Sequence, residues 1–241
     1  MIKYITLDLW ETLIADSPEL DGRRTDFRVN NIYHKLKKIV PGLDISRVAE
    51  AHKQTWQVCS ESWKRAKDLS FDEQVRLFLS LVDSSMPSIL RSGDFRDISD
   101  IYSGAVLEFR PKMIEGTRET LADLKARDCK IGLICNTGRS PGFILRQLLI
   151  EYGILAFFDS MLFSDETIVR KPVAAIFDMS VRELGAIKEQ TLHAGDSWEN
   201  DILGASNAGL KAVWISGESS GLTDCPVIKS IAELPAVIDS L

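Results

Sequence analysis

The sequence predicts an α/β fold: a Rossmann-like, doubly wound parallel sheet with a four-helix cap inserted after its first strand. Three observations predict it. Five short apolar runs recur along the chain, helical patterns separate the last four of them, and one long interval carries helical periodicity alone. Alternating strands and helices point to a parallel sheet, because every parallel pair needs a crossover connection.

The first run is residues 2–8, rich in Ile, Tyr and Leu, and it reads as a short buried strand ending at Asp8. Lys130–Cys135, Ser160–Phe163, Thr191–Ala194 and Ala212–Ile215 have the same short, apolar character. Helices are predicted over Gly116–Arg127, Pro141–Tyr152, Ala174–Leu184 and Asn200–Ala208, and Gly153, Gly185 and Gly209 fall where a helix would end. Ser140 is predicted to cap the second of these, with Pro141 at its first position.

From about Ser17 to Arg110 no comparable strand run occurs. Val29, Ile32, Tyr33, Leu36 and Ile39 share one helical face. Val48, His52, Thr55, Trp56, Cys59 and Trp63 share another, as do Ile98, Ile101, Tyr102, Ala105 and Phe109. Phe71 to Val82 is apolar enough for a mostly buried fourth helix, and Pro41-Gly42, Met86-Pro87 and Arg110-Pro111 mark turns and the exit. The predicted division is therefore a core of residues 1–16 and 111–241 and a cap of residues 17–110. That division accounts for the length: 241 residues is one and a half domains at about 150 residues each.

Composition narrows the function. An apolar fraction of 45% excludes a disordered chain. No run approaches the roughly 20 apolar residues of a membrane span, so no membrane association is expected. A net charge of −6 argues against a nucleic-acid partner. Cys59, Cys129, Cys135 and Cys225 lack metal-ligand spacing, and the opening residues do not resemble a secretory signal. A cytoplasmic protein with reduced thiols is expected, as a monomer or homodimer.

Ligands of a doubly wound sheet bind at the carboxyl ends of its strands. Those ends carry Asp8, then Cys135-Asn136-Thr137, then Lys171 shortly after the third strand, then Gly195-Asp196. Two carboxylates, an ammonium and small hydrogen-bonding groups thus converge on one edge. Carboxylates bind a hard cation such as magnesium, or one can act as a nucleophile. The lysine would balance negative charge there.

The segments Asp8-Leu9-Trp10-Glu11-Thr12-Leu13, Leu133-Ile134-Cys135-Asn136-Thr137, Arg170-Lys171-Pro172 and Gly195-Asp196-Ser197-Trp198-Glu199-Asn200-Asp201 stand in this order along the chain. In this combination the sequence resembles the haloacid dehalogenase-like (HAD) hydrolase superfamily, and the helical insertion resembles its C1-type cap. The resemblance implies Asp8 as nucleophile and Lys171 as its charge partner. It implies Asp196 as a Mg2+ ligand beside Asp8 and the backbone carbonyl of Trp10, with Asp201 supporting the metal. Thr12 would brace the turn after Asp8, and Asn136 would lie nearby.

Two residues depart from the pattern. Phosphatases of the superfamily usually carry a second aspartate, a general acid–base, where this chain has Trp10. The second motif usually presents a hydroxyl to the phosphoryl group where this chain has Cys135, a weaker donor; Thr137 is the candidate to substitute in part. The resemblance thus implies a magnesium-dependent hydrolase of a small phosphorylated metabolite, favouring a good leaving group such as an acyl phosphate. Glu11 or a cap residue is a candidate proton source. Trp10 also fits a metal-independent 2-haloacid dehalogenase-type enzyme, with Arg24 and Arg28 as candidates for a cationic cradle if they are not simply solvated. A catalytically weak ligand-binding protein is the third reading.

Arg139 is a candidate contact for an anionic substrate. His34, His52 and His193 show no metal-ligand spacing, and His193 reads as structural. Trp56 and Trp63 read as cap core rather than a substrate platform, and Trp198 as a residue packing against the loop that holds Trp10.

Overall fold

A computed structural model of the chain describes residues 1–217 and 225–240. Residues 218–224 and residue 241 of the predicted core lie outside the described residues. Among the described residues, eight strands and eleven α-helical segments follow in the order β1 (Tyr4–Leu7), β2 (Ile14–Ala15), α1 (Pro18–Lys37), α2 (Ile45–Trp63), α3 (Phe71–Val82), α4 (Met86–Ile89), α5 (Ser92–Glu108) and β3 (Lys112–Met113). They continue with α6 (Thr117–Ala126), β4 (Lys130–Cys135), α7 (Gly142–Glu151), β5 (Ser160–Phe163), α8 (Ser164–Thr167), α9 (Ala174–Leu184) and β6 (Thr191–Gly195). A π-helical turn, Trp198–Leu203, leads into α10 (Gly204–Asn207), and β7 (Lys211–Ile215), β8 (Val227–Ile228) and α11 (Leu234–Ser240) complete the chain.

Six strands form one sheet in the order β5-β4-β1-β6-β7-β8, and every pairing in it is parallel. Because β1 lies between β4 and β6, the chain runs outward on one side of it and then on the other. The carboxyl ends of β1, β4 and β6 therefore flank the switch point where a crevice opens. β1 pairs Leu7 with Leu133 on one side and Ala194 on the other, which fixes the levels at which the three strands end. Ile5, Leu7, Ile131, Leu133 and Leu192 are buried in the sheet.

The second sheet is the two-stranded antiparallel ribbon of β2 and β3, pairing Ile14 with Met113 and Ala15 with Lys112. All of α1–α5 lies between those two strands, so this ribbon is where the chain leaves the parallel sheet and returns to it. These helices hold an apolar cluster of their own around Ile32, Leu36, Phe78, Leu79, Ile98 and Tyr102, separate from the clusters against the sheet. Ser70 and Glu73 close a reciprocal capping box at the start of α3, the element predicted from Phe71 to Val82.

Several details differ from expectation. The ribbon and β8 were not predicted, being two-residue strands too short to show a period. Pro141, not Ser140, is the residue before α7, and no side chain of its own caps it. Instead the Gly142 N–H donates to the Asp165 carboxylate at 3.2 and 3.3 Å, a cap supplied from α8 that local sequence does not reveal. The helix predicted over Asn200–Ala208 begins earlier as a π-helical turn at Trp198. Gly153, Gly185 and Gly209 do follow helices, with φ of 64°, 61° and 82°.

Candidate active site

Asp8 directly follows β1, where its N–H donates to the Ala194 carbonyl at 3.0 Å and so extends the ladder by one residue. The residue is 6% exposed. Lys171 enters from the segment between α8 and α9, and its Nζ donates to Asp8 Oδ1 at 2.5 Å and to Asp201 Oδ1 at 2.6 Å. Asn136, at the end of β4, pins the backbone of that lysine. Its Nδ2 donates to the Lys171 carbonyl at 3.0 Å, and its Oδ1 accepts from the Lys171 N–H at 2.8 Å. Asn136 thus acts on Asp8 through the placement of Lys171.

Asp201 comes from the π-helical turn. Its Oδ2 accepts from the Ser197 N–H at 2.9 Å, and Oδ1 lies 3.1 Å from His193 Nε2. His193 lies inside β6 as expected, but it does more than fill space. Its Nδ1 sits 2.8 Å from the Thr6 hydroxyl, and burial lowers its pKa. The neutral tautomer that satisfies both contacts carries its proton on Nε2 and donates to Asp201. The approach of Asp201 to β6 is close enough to require glycine: a Cβ at Gly195 would meet Asp201 Cγ at 2.3 Å.

Asp8, Asp196 and Asp201 each offer a carboxylate oxygen, and these lie within 4.8 Å of one another. Three carboxylates face one ammonium. Burial pushes the Asp8 carboxyl up to about 7 and the Asp196 carboxyl up to about 6, in each case with the neighbouring carboxylates adding to the effect. Lys171 is held in its charged form by Asp201 and Asp8 against the effect of burial, and it keeps Asp201 ionised. Ionised together, the three carboxylates exceed that ammonium by two charges, which suits a divalent cation with hard oxygen ligands.

Other predicted site residues fall differently. Cys135 is fully buried, its thiol pointing to the Asn136 carbonyl at 3.7 Å, and burial together with Asp8 raises its pKa well above that of an ordinary thiol. It is neither a ready donor to substrate nor a thiolate nucleophile. The Thr137 hydroxyl is already engaged, 3.1 Å from Ser164 Oγ and accepting from the Asp165 N–H at 3.1 Å. Thr12 is buried with its hydroxyl unpartnered, so no hydrogen bond from it braces the turn. Glu11 is exposed at φ 55°, and its carboxylate accepts from the Asp16 N–H at 2.9 Å, bracing that turn instead. All four cysteines are thiols rather than disulfides.

A cleft of about 670 Å³ opens beside this cluster, lined by Trp10 and Asn136 on the sheet side and by Arg24, Arg28, Trp56 and Trp63 from the helices. Arg24 and Arg28 are buried, not solvated: Arg24 pairs with Asp16 and donates to the Phe109 carbonyl at 3.0 Å, and Arg28 donates to the Tyr102 carbonyl at 2.7 Å. Trp56 and Trp63 also depart from expectation. They meet edge to face at 4.7 Å on the cleft wall, with Arg139 over Trp56 and Arg170 over Trp63. His52 is buried nearby, whereas His34 is exposed against Tyr33. Trp198 meets the Trp214 ring at a tilt, with centroids 5.1 Å apart.

A family model described as haloacid dehalogenase-like hydrolase matches residues 2–209. The chain belongs to the haloacid dehalogenase-like hydrolases. Among similar proteins, the glyceraldehyde 3-phosphate phosphatase of Methanothermobacter thermautotrophicus is 34% identical over 134 residues, 51% of this chain and 57% of that protein. That of Methanocaldococcus jannaschii is 30% identical over 178 residues, covering 71% and 72%. The phosphoglycolate phosphatase of Yersinia pseudotuberculosis is 30% identical over 149 residues, covering 59% and 62%. The matches to the first and third of these relatives thus span less than two thirds of their length. In fold, this hydrolase superposes on a 2-haloacid dehalogenase from Pseudomonas syringae pv. Tomato with a TM-score of 0.73 at 20% identity, covering 100% and 99% of the two chains. A HAD phosphatase from Thermococcus onnurineus gives 0.63 at 21%, covering 98% of each. No helix among the described residues is long and apolar enough to cross a membrane.

Proposed function

We propose that this hydrolase is a magnesium-dependent phosphatase of small phosphorylated metabolites, with Asp8 as nucleophile. One observation carries the reading: three carboxylates, Asp8, Asp196 and Asp201, gathered within 4.8 Å against the single ammonium of Lys171. A 2-haloacid substrate brings no positive charge to offset them. The phosphatases among its relatives support the same direction.

Asp8, Asp196 and the Trp10 backbone carbonyl would hold Mg2+, with Asp201 in support. Bound there, the cation would supply charge neutralisation for nucleophile and phosphoryl group alike. The Asp8 carboxylate attacks phosphorus; an Asp8–phosphorus bond forms as the bond to the leaving oxygen breaks. Lys171 orients the carboxylate and balances charge in the transition state, while Asn136 keeps Lys171 in place. Water then releases phosphate and restores Asp8. The indole of Trp10 carries no acid, so leaving groups that depart without a proton, acyl phosphates above all, are the favoured substrates.

Helices α1–α5, residues 17–110 in the predicted division, form the cap in this reading, and closing them over the cleft excludes water from Asp8. Phosphate release measured with and without Mg2+ tests the proposal. Wild type should release phosphate only with the metal, and Asp8→Asn should fall by at least about a thousandfold. Equal rates in the two proteins would overturn it.

A second reading has a specific observation behind it: Trp10 stands at the acid–base position, and the buried Arg24 and Arg28 line the cleft. Both suit a haloacid dehalogenase. Halide release from 2-haloacids that is indifferent to chelator would establish it.

A further inference from the structure

The charges in the cleft are not all balanced. Arg24 is paired with Asp16, and Arg170 with Asp68 at 2.8 Å. Arg28 and Arg139 line the same cleft, and among the described residues no carboxylate lies within ion-pair distance of either. Asp21, on the cleft rim, is exposed and pairs with neither.

Arg28 is only 2% exposed. A buried charge is retained where something compensates it, and neutral neighbours do so weakly. The contacts it has are the Tyr102 carbonyl at 2.7 Å and the Tyr102 ring, whose centre lies 5.6 Å away. Arg139 lies over the Trp56 ring at 4.3 Å, and its buried Nε takes no hydrogen bond. Beside these two guanidiniums, His52 Nε2 is also buried and unpartnered, and the buried Tyr102 hydroxyl faces the Arg139 side chain without a hydrogen bond of good geometry. Buried polar atoms normally find partners, so the orphaned Arg139 Nε and His52 Nε2 beside two unpaired cations call for an explanation. The two guanidiniums that line the cleft supply donors only, while Tyr102 and His52 are not among the residues that line it. Such a wall is matched by a ligand that only accepts and carries negative charge.

We propose that this wall is a subsite for a second oxyanion on the substrate, a carboxylate or a further phosphate, held by Arg28 and Arg139. This deepens the phosphatase reading and rests on it: the phosphoryl group reaches Asp8 while the other end of the molecule enters the arginine wall. Substrates would then be small, doubly anionic molecules. A bidentate guanidinium contact to an oxyanion supplies both affinity and orientation.

The test is binding, not turnover: affinity for the phosphonate end reports the Asp8 site that the phosphatase reading needs, and the ratio between the doubly anionic compounds and the carboxamide reports the arginine wall. Calorimetric titration with Mg2+ present compares three non-hydrolysable phosphonates: 3-phosphonopropionate, its carboxamide, and propane-1,3-diphosphonate. Wild type should bind one or both doubly anionic compounds about tenfold or more tighter than the carboxamide. Whichever is tighter identifies the second group as carboxylate or phosphate. Arg139→Gln should bring the ratio close to one, and Arg139→Lys should retain part of it. Arg28→Gln should act like Arg139→Gln, with circular dichroism reporting whether it folds; if it does not, the Arg139 variants decide. Equal affinities in wild type, no binding of any of the three, or an undiminished ratio in Arg139→Gln would overturn the proposal.

Discussion

Trp10 lies two residues beyond Asp8, the proposed nucleophile, and lines the cleft, yet it has no proton to give a leaving oxygen. The chemistry proposed for Asp8 should therefore show strong dependence on leaving group. Replacing the indole by a carboxyl, Trp10→Asp, should raise hydrolysis of alkyl phosphates about tenfold or more, with much less effect on acyl phosphates. Rates for a series of leaving groups check this, and a flat series in wild type would contradict it. His52 makes a different prediction. Burial, with Arg139 and Arg28 adding to it, lowers its pKa to about 3, against an ordinary value near 6.5. The unfolded chain therefore takes up a proton between those values that the folded chain does not. The contribution of His52 to stability is complete above about pH 6.5 and is lost as pH falls toward 3, by on the order of 5 kcal/mol in full. Urea denaturation across pH 4–7 should show a shallower loss in His52→Gln than in wild type.

At the scale of elements, a loop from the helical insertion holds the strand-end segment that delivers Lys171. Asp68, between α2 and α3, accepts from Arg170 at 2.8 Å, from Ser164 Oγ at 2.5 Å and from Trp63 Nε1 at 2.9 Å. The Asp68 N–H also reaches the Ile168 carbonyl at 3.4 Å. This tether is a second link between the helices and the sheet, remote in sequence from the β2–β3 ribbon. Asp68→Ala leaves Arg170 buried without its partner, which should cost about 3–5 kcal/mol, read as a lower urea midpoint. Nothing in the sequence around Asp68 announces the tether, because Arg170, Ser164 and Ile168 lie about a hundred residues away. The π-helical turn was equally hidden. A Gly-Asp-Ser-Trp-Glu-Asn-Asp segment reads locally as loop and helix start, and the turn is seen only once Asp201 is placed between Lys171 and His193.

Over the whole molecule, a net charge of −6 coexists with a cleft lined by four arginines. Overall charge thus says little about what enters the cleft. The same molecule concentrates negative charge at Asp8, Asp196 and Asp201, so binding a divalent cation should stabilise the entire fold. At a Mg2+ concentration a hundred times its dissociation constant the gain is about 2.7 kcal/mol. For a chain of this length that corresponds to a rise in Tm of roughly 5–10 °C. Asp196→Asn should lose most of that rise, and a thermal melt with and without Mg2+ checks it.

The sequence by itself determined the parallel α/β core and its strand ends, since strand period is encoded by neighbours along the chain, and its short motifs named Asp8, Asn136, Lys171, Asp196 and Asp201, which the fold brings together. It also located the long helical interval. What it left open was which way those helices face. Arg24 and Arg28, expected to be solvated if they were not a cationic cradle, are buried, and Trp56 and Trp63, expected in a core, line the cleft. A helix with apolar residues on one side specifies that side alone. Whether its remaining residues meet water or another element depends on packing between segments far apart in the chain, and only the tertiary structure decides that.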